Sequence, residues 1–166
     1  MMCSKSRERQ YLLEIVRVRV VPWLESLGFC FCDLPERYLN SSMESVYPLG
    51  LAKRVSGDLL DLVEFQFDKN GGSYFFLNFG RVGRSGVVYP WVSLSQDEVL
   101  ASDLPEYFRL ENKLNGDRFG ARRCLFVCLV SSDSAIDDFL DRFVFVDRWF
   151  KGFDEVEHFK KISHVA

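Results

Sequence analysis

Leu59-Leu60-Asp61-Leu62-Val63-Glu64-Phe65-Gln66-Phe67-Asp68, then Lys69-Asn70-Gly71-Gly72, then Ser73-Tyr74-Phe75-Phe76-Leu77-Asn78-Phe79-Gly80-Arg81-Val82: the fold turns on this stretch. Side chains alternate across a strand, so the first run puts Leu59, Asp61, Val63, Phe65 and Phe67 on one face and Leu60, Leu62, Glu64, Gln66 and Asp68 on the other. The pattern predicts a strand with one face on the core and one face wet. Asn-Gly and Gly-Gly accept the positive φ angles of a tight turn, so residues 69–72 predict a hairpin whose return strand is 73–82. A weaker strand over 46–55, turned at Ser56-Gly57-Asp58, precedes it. Strands joined by such short turns form an antiparallel meander.

Before the meander, Tyr11, Leu12, Ile15, Val16, Val20, Trp23, Leu24 and Leu27 recur at steps of three and four, which predicts an N-terminal helix over 6–27. Pro22 is expected to kink or divide it, and Gly28 to close it. Phe29-Cys30-Phe31-Cys32 then starts a first strand, and 33–45 reads as loop or edge. After the meander, 83–105 is irregular, with a helix start at Ser95-Gln96-Asp97-Glu98. Segments 107–114 and 122–130 read as a pair of strands around Asn115-Gly116-Asp117. From Ser132 the apolar set Ile136, Phe139, Leu140, Phe143 and Val146 predicts a helix reaching Trp149-Phe150 and ended by Gly152, with a last short helix over 154–162. No repeat, linker or low-complexity tract divides the chain. The expectation is a single α+β domain over 1–166: N-terminal helix, antiparallel meander sheet, and C-terminal helices packed on the sheet.

The 166 residues suffice for one core and are few for two. With 48% apolar and 27% charged residues the chain is globular rather than disordered, and its 16 Phe, 6 Tyr and 3 Trp imply a core of large rings. A net charge of −3 argues against a nucleic-acid coat protein. No run approaches the length of a membrane span, and the first ten residues, MMCSKSRERQ, lack the apolar core of an export signal. Cys3, Cys30, Cys32, Cys124 and Cys128 are odd in number and lack the paired spacing of a zinc site, which points to reduced thiols and a cytoplasmic location without a metal centre. On strands, Cys30 and Cys32 share one face, as do Cys124 and Cys128, and they are expected to be small fillers of the sheet.

Four features carry candidate chemistry. Gly80-Arg81-Val82-Gly83-Arg84-Ser85-Gly86 spaces three glycines evenly around two arginines, so Arg81 and Arg84 are candidate anion-binding residues. The stretch lacks the Lys-Ser/Thr ending of a phosphate loop, and its expected role otherwise is a flexible strand exit. Only two histidines exist, His158 and His164, six residues apart, which argues against a metal hydrolase or a Ser-His nucleophile pair. Asp61, Glu64 and Asp68 are candidate sheet carboxylates for acid–base work, with Glu64 and Asp68 expected on the solvated face. Residues 133–157 hold eight carboxylates against Arg142, Arg148 and Lys151, whereas the N-terminal segment carries Lys5, Arg7, Arg9, Arg17 and Arg19 against Glu8 and Glu14. This acidic region gives the candidate partner-binding set Asp137, Asp138, Asp141, Asp147, Trp149 and Glu155: charge to speed association with a basic protein and an aromatic anchor to hold it.

Leu27-Gly28-Phe29 after the first helix, Val63-Glu64-Phe65-Gln66, Tyr74-Phe75-Phe76-Leu77-Asn78-Phe79-Gly80 and the closing Asp147-Arg148-Trp149-Phe150 resemble the bacterial domain-of-unknown-function 4304 family over residues 11–150. The resemblance implies an α+β fold and carries over no catalytic residue. Small acidic domains of this kind are similar to immunity proteins that accompany bacterial toxins. The expectation is therefore a non-enzymatic cytoplasmic protein, without cofactor, that binds a protein partner such as a basic toxin domain and neither nucleic acid nor membrane. The alternative is a small-ligand-binding module or an enzyme using the glycine-spaced stretch and the sheet carboxylates.

Overall fold

Helices cover one face of a wholly antiparallel sheet, and loops with a small hairpin cover the other. The computed structural model describes residues 2–112, 116–124, 127–154 and 156–164. The chain opens with α1 (Met2–Ile15), a π-helical turn (Val16–Val20) and α2 (Val21–Ser26) in unbroken succession. Pro22 has no amide hydrogen to continue the ordinary ladder, and the wider turn just before it lets Val21 N–H donate to the Val16 carbonyl instead. The proline thus registers as a π-helical turn, and helical structure resumes after it.

Strand β1 (Cys30–Cys32), a 3-10 turn (Glu36–Tyr38) and α3 (Ser41–Val46) lead into β2 (Leu51–Ser56), β3 (Leu59–Phe67) and β4 (Tyr74–Gly83). A small hairpin, β5 (Val87–Tyr89) and β6 (Val92–Leu94), and a second 3-10 turn (Ala101–Asp103) precede β7 (Glu106–Leu110), β8 (Phe119–Gly120), β9 (Arg122–Cys124) and β10 (Val127–Val130). Helix α4 (Ser132–Phe150), capped by the Ser131 side chain on Ser134 N–H, a 3-10 turn (Val156–His158) and β11 (Phe159–Ser163) complete it. The main sheet runs β1-β2-β3-β4-β7-β11, with β8 paired to the first residues of β4. The sequence-predicted β3–β4 hairpin forms in register from Leu59↔Gly83 to Phe67↔Phe75.

The main core lies between sheet and helices. Val63, Phe65 and Phe67 of β3 and Phe75, Leu77 and Phe79 of β4 pack against Leu12, Val16, Val20 and Leu24 on the N-terminal side and Ile136, Phe139, Phe143 and Phe150 of α4. Phe139 meets Phe65, Phe75, Phe119 and Phe143 with ring centroids 5.3–5.7 Å apart. Rings at these distances add roughly 0.5–1.5 kcal/mol per pair beyond burial.

The face predicted to be wet is dry. Leu60 and Leu62 pack with Val82, Tyr107, Val87, Leu94 and Leu104, while Leu51 packs with Leu34, Tyr47 and Leu100. Loops without helical or strand periodicity supply this second cover, and period-two reading of β3 alone cannot register them. The same cover explains why Ser95-Gln96-Asp97-Glu98 is a turn. The Glu98 carboxylate accepts from Ser95 N and Oγ at 3.1 and 2.6 Å, as at a helix start, but Val99 and Leu100 then enter two different apolar clusters and the chain cannot coil.

Four further expectations change. Residues 107–114 and 122–130 do not pair: β7 joins β4 and β11, and β9 and β10 pair with each other, while 113–115 and 125–126 lie outside the described residues. The expected helix over 154–162 is instead a 3-10 turn and β11, because β7 offers an unpaired edge from Leu110 to Glu106 and burying Phe159 draws the segment onto it. The strand expected from residue 46 starts at Leu51, since Asn40 caps α3 through Met43 N–H at 3.1 Å. Cys30 and Cys32 share a face as expected but are exposed edge thiols rather than fillers, with Phe31 between them turned onto Phe65. The side chains of Cys3, Cys124 and Cys128 lie outside the described residues.

Gly57 and Gly86 both occupy the left-handed region, at φ +64° and +68°, but a Cβ on Gly57 meets nothing within 4 Å whereas one on Gly86 would sit 1.9 Å from the Leu94 carbonyl oxygen. Gly57→Ala is expected to cost about 1 kcal/mol from backbone strain alone. Gly86→Ala should cost at least about 3 kcal/mol, because the β5–β6 hairpin must shift to admit it. Urea midpoints of the two variants at unchanged m-value check the difference.

Candidate functional site

Register places a polar row across the middle of the sheet on the face away from the helices. Glu64 of β3 stands opposite Asn78 of β4, and Asn78 opposite Arg109 of β7. Asn78 Nδ2 donates to Glu64 Oε1 at 2.6 Å and to Gln66 Oε1 at 2.9 Å, while Arg109 donates to Asn78 Oδ1 at 2.7 Å and to Gln66 Oε1 at 3.1 Å. The other Glu64 oxygen accepts from Ser102 N at 3.3 Å and Ser102 Oγ at 3.2 Å. Glu64 is fully buried. Burial raises its pKa above the ordinary carboxylate value, and the Asn78 and Ser102 hydrogen bonds, which favour the charged form, oppose the rise without cancelling it. Burial likewise pushes the Tyr38 and Tyr47 hydroxyls upward.

Ser102 links this row to a cleft of about 450 Å³ between the β5–β6 hairpin and the Ala101–Asp103 turn. Asp103 clasps the two loop covers together: Arg37 Nη2 and Tyr38 Oη each donate to its carboxylate at 2.5 Å, and Leu100 N does so at 2.8 Å. Tyr89 Oη donates to the Asp103 carbonyl at 2.6 Å, and the Trp91 ring lies parallel to the Tyr89 ring, 5.3 Å away and 9° inclined. Trp91 is 74% exposed. His164 Nε2 lies 2.8 Å from the Ser102 carbonyl and donates to it.

On the helix side, Asp61 is fully buried between Arg54 Nε at 3.0 Å and Arg81 Nε at 2.7 Å. Arg81 also donates to the Phe150 carbonyl and lies over the Trp149 and Phe150 rings. Arg54 continues to Asp147 at 2.7 Å, where Lys151 donates at 2.5 Å. Burial would raise the Asp147 pKa, but the hydrogen bonds from Lys151 and Arg54 hold it below the usual range.

These positions correct several expectations. Gly80–Gly83 belongs to strand β4, so Arg81 is a staple between sheet and α4 rather than part of a phosphate cradle, and Arg84 is an exposed partner of Asp58 at 2.7 Å. Asp147 is buried, and Trp149 packs 5.2–5.4 Å from Phe108 and Phe79, so both hold the fold together. Asp138 is half-buried against Arg142. Asp137 and Asp141 are exposed, Asp137 in an ion pair with Arg19 at 2.6 Å, and Glu155 lies outside the described residues. Asp68 is partly exposed, and its carboxylate accepts from Gly72 N at 2.8 Å. Burial would raise its pKa, and the backbone hydrogen bonds from Gly72 and Asn70 instead lower it. Among the described residues no group of three or more His, Cys, Asp or Glu converges as a metal site, no buried side-chain polar atom lacks a hydrogen-bond partner, and no helix is long and apolar enough to cross a membrane.

Two consequences are measurable. The raised pKa of Glu64 means the folded state holds its proton more tightly than the unfolded chain, so this group's contribution to stability is present at low pH and is lost as pH rises through the folded value. Glu64→Gln removes that dependence. The stability of the wild type relative to the variant should therefore fall as pH rises above the ordinary carboxylate value of 4.5, read from urea unfolding at a series of pH values; a rise would show that the hydrogen bonds outweigh burial. Asp61→Asn leaves two arginines facing a neutral group and should cost roughly 3–5 kcal/mol, whereas Arg84→Ala should leave the melting temperature unchanged.

The four segments on which the expected resemblance to the 4304 family rests fall at the link from α2 to β1 (Leu27-Gly28-Phe29), in β3, in β4 and at the end of α4, where they build the hairpin, the aromatic core and the Asp147 pair. No family model matches the chain, and neither a curated protein nor a solved structure matches it at a significant level.

Proposed function

We propose that this chain is a non-enzymatic protein-binding protein whose contact surface is the outer side of α1 and α4. The supporting observation is the stripe Asp133, Asp137, Asp141 and Val144, spaced four, four and three residues apart on α4 and exposed throughout. Beside it the N-terminal helical segment leaves Tyr11 and Val18 exposed at 52% and 63%. Tyr11 Oη donates to Asp133 at 3.0 Å and Arg19 to Asp137 at 2.6 Å, so the two helices present these groups as one surface. Asp141 has no ion-pair partner among the described residues. Carboxylates one turn apart speed the approach of a basic partner, and the exposed Tyr and Val side chains supply contact area.

The way the two best-buried carboxylates are engaged supports a binding role. Glu64 and Asp61, the carboxylates best buried to act as acids or bases, are held by Asn78 and Ser102 and by Arg54 and Arg81. The narrower role, neutralising a basic bacterial toxin domain in the cytoplasm, rests on the resemblance to immunity proteins and is the form of this reading in which capture of the partner also abolishes its toxicity.

Replacing Asp133, Asp137 and Asp141 together by Asn tests the surface. These charges are exposed, so the fold should change little. Association with a partner recovered by affinity capture from the native host should slow by about tenfold at low salt, and the difference should shrink as ionic strength rises past 0.1 M or so. An unchanged on-rate at low salt would remove the helical surface as the binding site.

A further inference from the structure

The cleft on the opposite face of the sheet is lined by two unlike groups. One is a flat ring: Trp91 lies parallel on Tyr89, and Tyr89 is fixed by its hydroxyl to the Asp103 carbonyl, so the indole is held in place while 74% exposed. The other is a cation: Arg37 is seated 4.2 Å over the Tyr38 ring and uses Nη2 for both its bonds, to Asp103 at 2.5 Å and to the Glu98 carbonyl at 3.2 Å. Its Nε and Nη1 hydrogens have no partner among the described residues. The Asp103 carboxylate already accepts from Arg37, Tyr38 and Leu100, so it offers the cleft little free acceptor capacity. Val92 and Leu94 complete an apolar side.

We propose that this cleft binds a small molecule bearing a planar aromatic ring and a carboxylate. The ring stacks on the free side of Trp91, and a carboxylate oxygen accepts from Arg37. A volume of about 450 Å³ lies within the roughly 300–1,000 Å³ usual for small-ligand sites. An ammonium in place of the carboxylate would meet a guanidinium, and a neutral ring would gain the stacking without the charge-assisted hydrogen bond. The site is pre-organised: buried Glu64 holds Ser102, and Asp103 ties Arg37, Tyr38 and Tyr89 together, so little ordering remains for the ligand to impose. This activity is independent of partner binding by the helices, which lie across the sheet.

Titration calorimetry of the intact protein with 2-naphthoate, 2-naphthalenemethanol and 2-naphthylmethylammonium provides the test. The wild type should bind naphthoate saturably, the alcohol about tenfold more weakly, and the ammonium most weakly. Trp91→Ala, at an exposed position, should weaken both acid and alcohol by about tenfold. Arg37→Gln should weaken only the acid, bringing it level with the alcohol. Because that change also loosens the Asp103 clasp, the ranking of the three probes in the wild type is a second reading free of any variant. Absence of saturable naphthoate binding, equal binding of acid and ammonium, wild-type affinity in Trp91→Ala, or undiminished acid binding in a folded Arg37→Gln would each overturn the proposal.

Discussion

Burial of β3 and β4 on both faces is the constraint from which the rest follows. A strand with one wet face can carry polar residues at no cost, but here Asp61, Glu64 and Asn78 in the central hairpin leave water and must be met inside. Asp61 falls on the helix side and is met by Arg54 and Arg81; Glu64 falls on the loop side and is met by Asn78 and Ser102. The two solutions differ in kind. A carboxylate between two arginines locks sheet to helix, while an acid facing only neutral donors keeps a raised pKa and ties sheet to loops. The polar interior therefore pins both covers of the sheet to a single register.

What was legible in the sequence follows from where the relevant partner sits along the chain. The hairpin at Asn70-Gly71, the N-terminal helix, the helix start at Ser132 and its end at Gly152 are local signals, and each appears where the residues place it. The dry second face, the placement of β7 and the strand at Phe159–Ser163 depend on residues far apart in sequence, so periodicity within one segment is silent about them. Phe159-Lys160-Lys161-Ile162 fits a helix as well as a strand, and only the open edge of β7 decides.

The same distinction sorts the candidate site. Charge density along 133–157 was visible as composition, but composition does not say which aspartates face arginines. Asp147 lies 93 residues from Arg54 and Asp137 118 from Arg19, and those contacts separate structural carboxylates from exposed ones. Trp149 and Trp91 show the converse: two aromatic residues of one type, one wedged between Phe79 and Phe108, the other standing outside the core. Pro90 beside Trp91 marks a turn, and a tryptophan at a turn of a short hairpin is the local signal for the cleft, less conspicuous in the sequence than the charge run.

The two faces divide the molecule's surface chemistry. Straight helices expose regular stripes, so α4 can display aspartates one turn apart over a convex surface, a geometry suited to steering a large partner and poor at enclosing a small one. Irregular loops can converge from several directions, and the Glu36–Tyr38 turn, the β5–β6 hairpin and the Ala101–Asp103 turn meet around Asp103, the first through its carboxylate and the second through its backbone carbonyl, and leave a concavity beside it. The loops can hold that shape because hydrogen bonds to Glu64 and Asp103 fix them. A concavity with a fixed cation and a fixed ring is thus a consequence of how the second face of the sheet is kept dry.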